Sequence, residues 1–485
     1  MNYTKEQADQ YIQKNQVNLV PDFRLTYHLM AEYGWMNDPN GFIEFQGQYH
    51  LFYQHYPYDS RWGPMHWGHA ISRDLIQWEY LPIALAPDES YDSGGCFSGS
   101  AIEKDGKLYL MYTGHVVIVP EVNYIQTQAI AVSEDGVRFA KAPQNPVIGT
   151  DQIPAGSSKM DFRDPKVFEH GGRFYTVLGS NDEQGNGQIL LYRSTDLLHW
   201  EFVNIAAESH GDLGDNWECP DLFSLDGRAV LVMSPQRVPA QGDNYRNLHS
   251  TTYMVGQWNE ETGVFDYDSY HPIDYGFDFY APQTTLDSKG RRIMIGWMDM
   301  WESEMPTQQG HGWAGAMTLP REVLLEGERL RFQPVEELEQ YRVNGYEASE
   351  LRLDGVLDLP ITGDSYELQA VFEAKEAVEF GLKLRVGGEE ETELAYHPAE
   401  RLFRLNRDRS GIGPKGERRT KVELRQGRLA LRVFVDKSSV EVFLQDGEKV
   451  MTARIYPGLA SLGIQVYSVG ECRLESLHKW DLLAE

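Results

Sequence analysis

Three acidic residues stand in settings where carboxylates can do chemistry. Asp38 lies in Trp35-Met36-Asn37-Asp38-Pro39-Asn40-Gly41, Asp164 in Phe162-Arg163-Asp164-Pro165, and Glu218 in Trp217-Glu218-Cys219-Pro220-Asp221. Taken alone, Asn-Asp-Pro-Asn-Gly is a turn, because Asx side chains bond nearby backbone, proline sets φ and glycine allows φ > 0. Position is what argues for more. Each acid falls eight or nine residues before the second member of a turn pair, Gly47, Gly172 or Gly227, and Ser98 and Ala281 hold the same place before Gly106 and Gly290. Acids meeting at one opening raise one another's pKa. Such a cluster suits glycoside hydrolysis, in which one carboxyl protonates the leaving oxygen and another, ionised, attacks or stabilises positive charge. From sequence neighbours, Asn37, Asn40 and turn donors favour a charged Asp38, and Arg163 favours a charged Asp164. Glu218, beside Trp217, Cys219 and Pro220, has the least polar company and is the expected acid.

The elements that must position these residues are short alternating runs from about residue 37 onward, an all-β pattern. Gln46-Gly47, Asp105-Gly106, Gly171-Gly172, Asp226-Gly227 and Lys289-Gly290 each separate two runs of β-formers and predict tight hairpins roughly sixty residues apart. A second pattern, Ser-x-Asp-x-x-x-aromatic, keeps the same interval at Ser72 to Trp78, Ser133 to Phe139 and Ser194 to Trp200. Five copies predict a five-bladed β-propeller, and the helical segments that an α/β barrel needs are missing from the pattern. If the acid-bearing strand is innermost in each blade, all three carboxylates converge at one end of the axis. The expected division is a helix and lead-in over 1–27, the propeller over 28–335, a helical linker over 336–344 and a C-terminal β-sandwich over 345–485.

Composition bounds the partners. A chain of 485 residues exceeds one ordinary core. A formal charge of −29 argues against nucleic acid and anionic membrane, which need a Lys/Arg excess. Cys96, Cys219 and Cys472 are odd in number and distant, so no disulfide framework is expected. Met1 to Pro21 is polar, without a signal-like apolar region, and Thr4 with Gln7 forms a capping-box pattern. A cytoplasmic location follows as an expectation.

A sugar pocket also needs aromatic faces, amides and hydroxyls. Gln54, Trp62, His66, Trp67, Phe97, Ser98, Tyr280 and Trp297 stand near repeat-equivalent loops or strand starts, with core packing the competing reading for each aromatic. His66-Trp67-Gly68-His69 lacks a third zinc ligand, and Asp38-Pro39-Asn40-Gly41 lacks the remaining positions of a calcium loop, so neither metal nor cofactor is expected. Cys219 has no histidine partner after it and is read as structural, tuning Glu218's surroundings.

Together with Phe97-Ser-Gly-Ser100, Asp278-Phe-Tyr-Ala281, Gly296-Trp-Met298 and Val435-Asp-Lys-Ser-Ser-Val-Glu-Val-Phe443, the three acidic motifs resemble those of glycoside hydrolase family 32, the β-fructofuranosidases. The match runs over nearly the whole chain. The resemblance implies a five-bladed propeller followed by a β-sandwich, with Asp38 as nucleophile, Glu218 as acid/base and Asp164 as transition-state stabiliser. It also implies a fructose subsite drawn from Trp35, Asn37, Gln54, Trp62, Phe97, Ser98, Arg163, Tyr280 and Trp297. The implied reaction is retaining hydrolysis of terminal β-D-fructofuranosides such as sucrose, sucrose 6-phosphate or short fructo-oligosaccharides. Two rivals use the same features: a fructosyltransferase with the same acids, and a non-catalytic fructan-binding propeller, which would be expected to have lost an acid.

Overall fold

The structure, a computed structural model, describes residues 3–484. Thr4 caps the helix Lys5–Asn15: its Oγ1 accepts from the Gln7 amide, and the Gln7 side chain accepts from the Thr4 amide, both at 3.2 Å. Among the described residues no helix is long and apolar enough to cross a membrane.

Five sheets follow. Their innermost strands are Gly34–Phe45, Gly95–Lys104, Ser157–His170, Trp217–Leu225 and Tyr280–Leu286, and each leads outward through antiparallel neighbours to complete a blade. The ring closes when Trp313–Ala314, from the long excursion inside the fifth blade, pairs in parallel with Gly34 and Trp35 of the first.

Four of the five expected hairpins are two-residue turns with both residues at positive φ: Gln46-Gly47, Asp105-Gly106, Gly171-Gly172 and Asp226-Gly227. This is the mirror-image turn that matches strand twist. The fifth differs. Leu286 pairs with Arg292, and the longer loop is tied by Asp287 Oδ1 accepting from the Lys289 and Arg291 amides. The Ser-x-Asp pattern marks the turn from third to fourth strand in blades one to three. There the aspartate accepts amides two and three residues on, as Asp135 does from Val137 at 2.9 Å and Arg138 at 2.8 Å. The Trp78 and Trp200 indoles close the same turn onto the Leu75 and Leu197 carbonyls.

Glu336–Tyr341 forms a 3-10 turn, and the strand Arg342–Thr362 begins directly after it. Beyond lies a continuous ten-stranded sheet. The long strand Gly463–Leu482 pairs with Glu379–Gly387 by its first half and with Ser365–Glu373 by its second, so one strand serves both layers of a sandwich. Leu368, Leu382, Leu394 and Val433 from both halves share its core.

The junction between sandwich and propeller is charged and buried. His28 lies between Asp436 (2.7 Å) and Glu441 (3.1 Å), and the fully buried Arg321 spans Glu441 (2.6 Å) and Asp274 (3.0 Å). Asp278 is held by Arg407 (2.7 Å) and Arg454 (3.1 Å), and Arg454 also reaches Asp299. Burial alone would lower the His28 pKa, but its hydrogen bonds to two carboxylates outweigh this and raise it to about 9. The motif at 435–443 therefore works as a docking hairpin.

Candidate active site

Each innermost strand carries a one-residue slip in its ladder at the same end of the ring. The slips lie between Met36 and Pro39, Phe97 and Gly99, Arg163 and Lys166, Glu218 and Asp221, and Tyr280 and Gln283. A bulge re-aims side chains, and proline suits it because it carries no amide hydrogen that would be left unpaired. Asp38-Pro39, Ser98-Gly99, Asp164-Pro165, Cys219-Pro220 and Ala281-Pro282 occupy equivalent positions in these slips. Asp164, Cys219 and Ala281 take positive φ values of 65°, 48° and 49° there.

This register corrects the spacing argument. Glu218 is not the equivalent of Asp38 and Asp164. It stands one residue earlier, equivalent to Asn37, Phe97, Arg163 and Tyr280, while Cys219 holds the position of Asp38 and Asp164. Two rings of side chains result. In the first, Arg163 Nε donates to Glu218 Oε1 at 3.1 Å and Tyr280 OH donates to Glu218 Oε2 at 2.5 Å. In the second, Ser98 Oγ donates to Asp38 Oδ2 at 2.8 Å, and Cys219 Sγ lies 3.6 Å from that atom and 3.5 Å from Asp164 Oδ2. The Cys219 amide adds a 2.9 Å bond to Asp164. Counting from the hairpins cannot separate eight from nine residues when the first blade has an additional slip between Asn40 and Ile43.

The electrostatics change accordingly. Arg163 serves Glu218 and, at 2.6 Å, Asp161, instead of making a direct pair with Asp164. Burial pushes Asp164 above its ordinary range despite the nearby Arg163 charge, and repulsion from Glu218 and Asp38 adds to the rise. Burial and the Glu218 charge raise Asp38 to about 6, against the opposing bonds from Asn37, Ser98 and Cys219. Asp38 keeps part of its surface open to the cavity. Glu218 has the most polar company of the three, since Gln236 Nε2 also donates to it at 2.9 Å. Cys219 borders Asp38 and Asp164 more than Glu218, and burial beside the carboxylates holds its thiol protonated.

The three acids open into a cavity of about 420 Å³ whose lining also includes Asn37, Gln54, Trp62, Phe97, Ser98 and Arg163. Trp62 is 48% exposed at its edge. Trp35, Tyr280 and Trp297 lie outside that lining, in an apolar plug with Met65, Met300 and Met305. From there Trp35 Nε1 holds Asn37 Oδ1 at 2.7 Å and Trp297 packs edge-on against Trp35, with ring centroids 6.0 Å apart. Large aromatics bury where a plug can take them, and these three act on the wall from behind. His66 and Trp67 are buried too: His66 Nδ1 meets the Pro64 carbonyl, and Trp67 Nε1 donates to the Phe97 carbonyl. His69 is committed to His50 at 3.0 Å. Among the described residues there is no group of three or more His, Cys, Asp or Glu side chains placed to hold a metal ion.

Sequence reasoning missed His115, Tyr124, Gln126, Gln236, His249 and Trp301 in the lining. A signal existed for two of them, since His115 and Gln236 each stand nine residues after a hairpin glycine, at the pocket end of a second strand. His115 stacks on Phe97 at 4.2 Å. Trp301 comes from the excursion inside blade five, which obeys no repeat.

Comparison with known proteins agrees with this architecture. Residues 28–334 match the glycosyl hydrolases family 32 N-terminal domain, and residues 336–481 match the family 32 C-terminal domain. The chain is 41% identical over 472 residues to a sucrose-6-phosphate hydrolase of Escherichia coli, covering 94% of each chain. It is also 41% identical over 453 residues to a raffinose invertase of the same species, covering 91% of each. A Bombyx mori family 32 β-fructofuranosidase mutant, solved in complex with sucrose, superposes with a TM-score of 0.87 at 36% identity, over 99% of this chain and 98% of that one. A sucrose-6-phosphate hydrolase from Lactobacillus gasseri gives 0.88 at 28% identity over 99% of each.

Proposed function

Since this chain belongs to glycosyl hydrolase family 32 and is a glycosidase that cleaves terminal fructofuranosides, we propose that Asp38 is its nucleophile, Glu218 its acid/base and Asp164 its transition-state stabiliser. The observation that carries this reading is the delivery of one carboxylate from each of three blades to the same cavity. Asp38, raised to about 6, is largely ionised at neutral pH and has one face open to the cavity. Its oxygen attacks the anomeric carbon while Glu218 gives its proton to the leaving glycosidic oxygen. Once Asp38 is esterified, Glu218 serves as the base that draws water onto the intermediate.

Asp164, bonded from the Cys219 amide and thiol, accepts from fructose hydroxyls as charge builds on the ring. Asn37, Gln54, Trp62, Phe97, Ser98 and Arg163 bound the fructose subsite, with Trp35, Tyr280 and Trp297 supporting it from behind. The substrates are sucrose, sucrose 6-phosphate or short fructo-oligosaccharides, acted on in the cytoplasm. The test compares kcat/KM on sucrose, sucrose 6-phosphate and 1-kestose and examines Glu218→Ala by mass spectrometry. Glu218→Ala should be nearly inactive and, with a fructoside bearing a good leaving group, should accumulate one fructosyl unit on the peptide containing Asp38. Full activity in Glu218→Ala would overturn the assignment.

A further inference from the structure

Arg418 links the sandwich to the rim of the pocket, apart from the buried Arg454–Asp299 pair. Arg418 lies on Glu417–Lys421, the edge strand of the C-terminal sheet. Its Nε and Nη2 both donate to Asn247 Oδ1, at 2.8 and 2.7 Å, and Nη2 also reaches the Arg246 carbonyl at 3.3 Å. The same Nη2 stands 4.0 Å from Glu302 Oε2. The guanidinium lies over the Phe277 ring at 4.3 Å. Asn247 in turn donates to the Gly276 carbonyl at 3.0 Å, and the Leu248 amide donates to Glu302 Oε1.

Two propeller loops are therefore tied at one point. Each carries, within one or two residues of that point, a side chain that lines the pocket: His249 follows Leu248, and Trp301 precedes Glu302. Trp301 is 39% exposed; its inner contacts are Trp35 at 5.7 Å and Trp297 at 4.8 Å. A half-exposed indole on an excursion outside the repeat needs an outer restraint to keep one orientation. A planar fork suits that purpose better than an ammonium, because its donors are fixed relative to one another.

We propose that Arg418 is a positioning residue for substrate binding, acting from the sandwich through Asn247 and Glu302 on the wall formed by His249 and Trp301. The inference rests on the fructofuranosidase reading above. The chemistry at the three acids is left alone, so the effect belongs in KM.

The test uses the full chain. In Arg418→Ala, KM for sucrose should rise about fivefold with kcat within about twofold and an unmoved pH profile of kcat. Asn247→Ala should do the same, and Arg418→Lys should recover less than half of the loss. In a Trp301→Ala background, adding Arg418→Ala should raise KM by less than half as much, the remainder acting through His249. Independently of activity, hydrogen exchange across 246–250 and 300–304 should quicken about tenfold in Arg418→Ala. Unchanged exchange in those loops, an unchanged KM, or a full KM increase persisting without Trp301 would overturn the proposal. A wild-type enzyme inactive on all the fructosides, with the exchange result as expected, would instead overturn the functional reading alone.

Discussion

The pocket and the junction are both built from buried carboxylates, but they are balanced differently. At the junction, Asp436 and Glu441 share His28; Glu441 and Asp274 share Arg321; Asp278 and Asp299 share Arg454, and Asp278 also meets Arg407. In the pocket, Asp38, Asp164 and Glu218 have one guanidinium among the lining residues, Arg163, and it is directed to Glu218 and Asp161. The pKa behaviour follows the number of cations. Glu441 and Asp278, each reached by two, are held below their ordinary range in spite of burial, whereas burial raises Asp274 and Asp299, which have one each, as it raises Asp38 and Asp164. Paired charges hold two units together; unmatched ones leave carboxylates near the proton affinity that catalysis needs.

Removing the unmatched charge should have the largest effect. Asp38→Asn should lower kcat by roughly 10⁴-fold, because an amide cannot form the covalent intermediate. Breaking the balanced cluster comes next. His28→Ala leaves Asp436 and Glu441 without their shared proton and should cost about 3–5 kcal/mol in denaturant unfolding. Its pH dependence has a defined sign. A histidine raised from 6.5 to about 9 contributes stability that is complete below pH 6.5 and lost as pH rises through 9. That decline should be present in the wild type and absent from His28→Ala.

A smaller effect concerns rate against pH. With Asp38 required as the anion and raised to about 6, kcat/KM should fall about tenfold for each pH unit below that value. The smallest is a stability gain. An acid raised in the folded state costs stability as pH rises from about 4 through 6, so Asp38→Asn should melt about 1–2 °C higher at pH 7 and show no gain at pH 4. An equal gain at both pH values would mean that the Asp38 charge is not what the fold resists.

The fold was legible because its signals are local. The mirror-image turns at Gln46-Gly47, Asp105-Gly106, Gly171-Gly172 and Asp226-Gly227 need residues that accept positive φ, and the Ser-x-Asp turns need an aspartate to gather amides. Lys289-Gly290 has a similar composition but sits inside a longer loop, since what Asp287 bonds is decided by Arg291 and its neighbours. The helix cap at Thr4 was equally readable. The long strands Arg342–Thr362 and Gly463–Leu482, which pass through both layers, left no local mark distinguishing them from shorter ones.

Of the site, the sequence determined which residues could do chemistry: three acids, each one or two residues before a proline, near repeating positions on β-strands. It also determined, through the charge of −29 and the spacing of its cysteines, that neither nucleic acid nor a disulfide framework was the expectation. Tertiary structure alone decided who faces whom. Arg163 adjoins Asp164 in sequence yet binds Glu218, and Cys219 adjoins Glu218 yet borders Asp38 and Asp164. The physical reason is the strand itself. Successive residues point apart, equivalent residues of neighbouring blades meet around the axis, and a one-residue slip determines which ring each side chain joins.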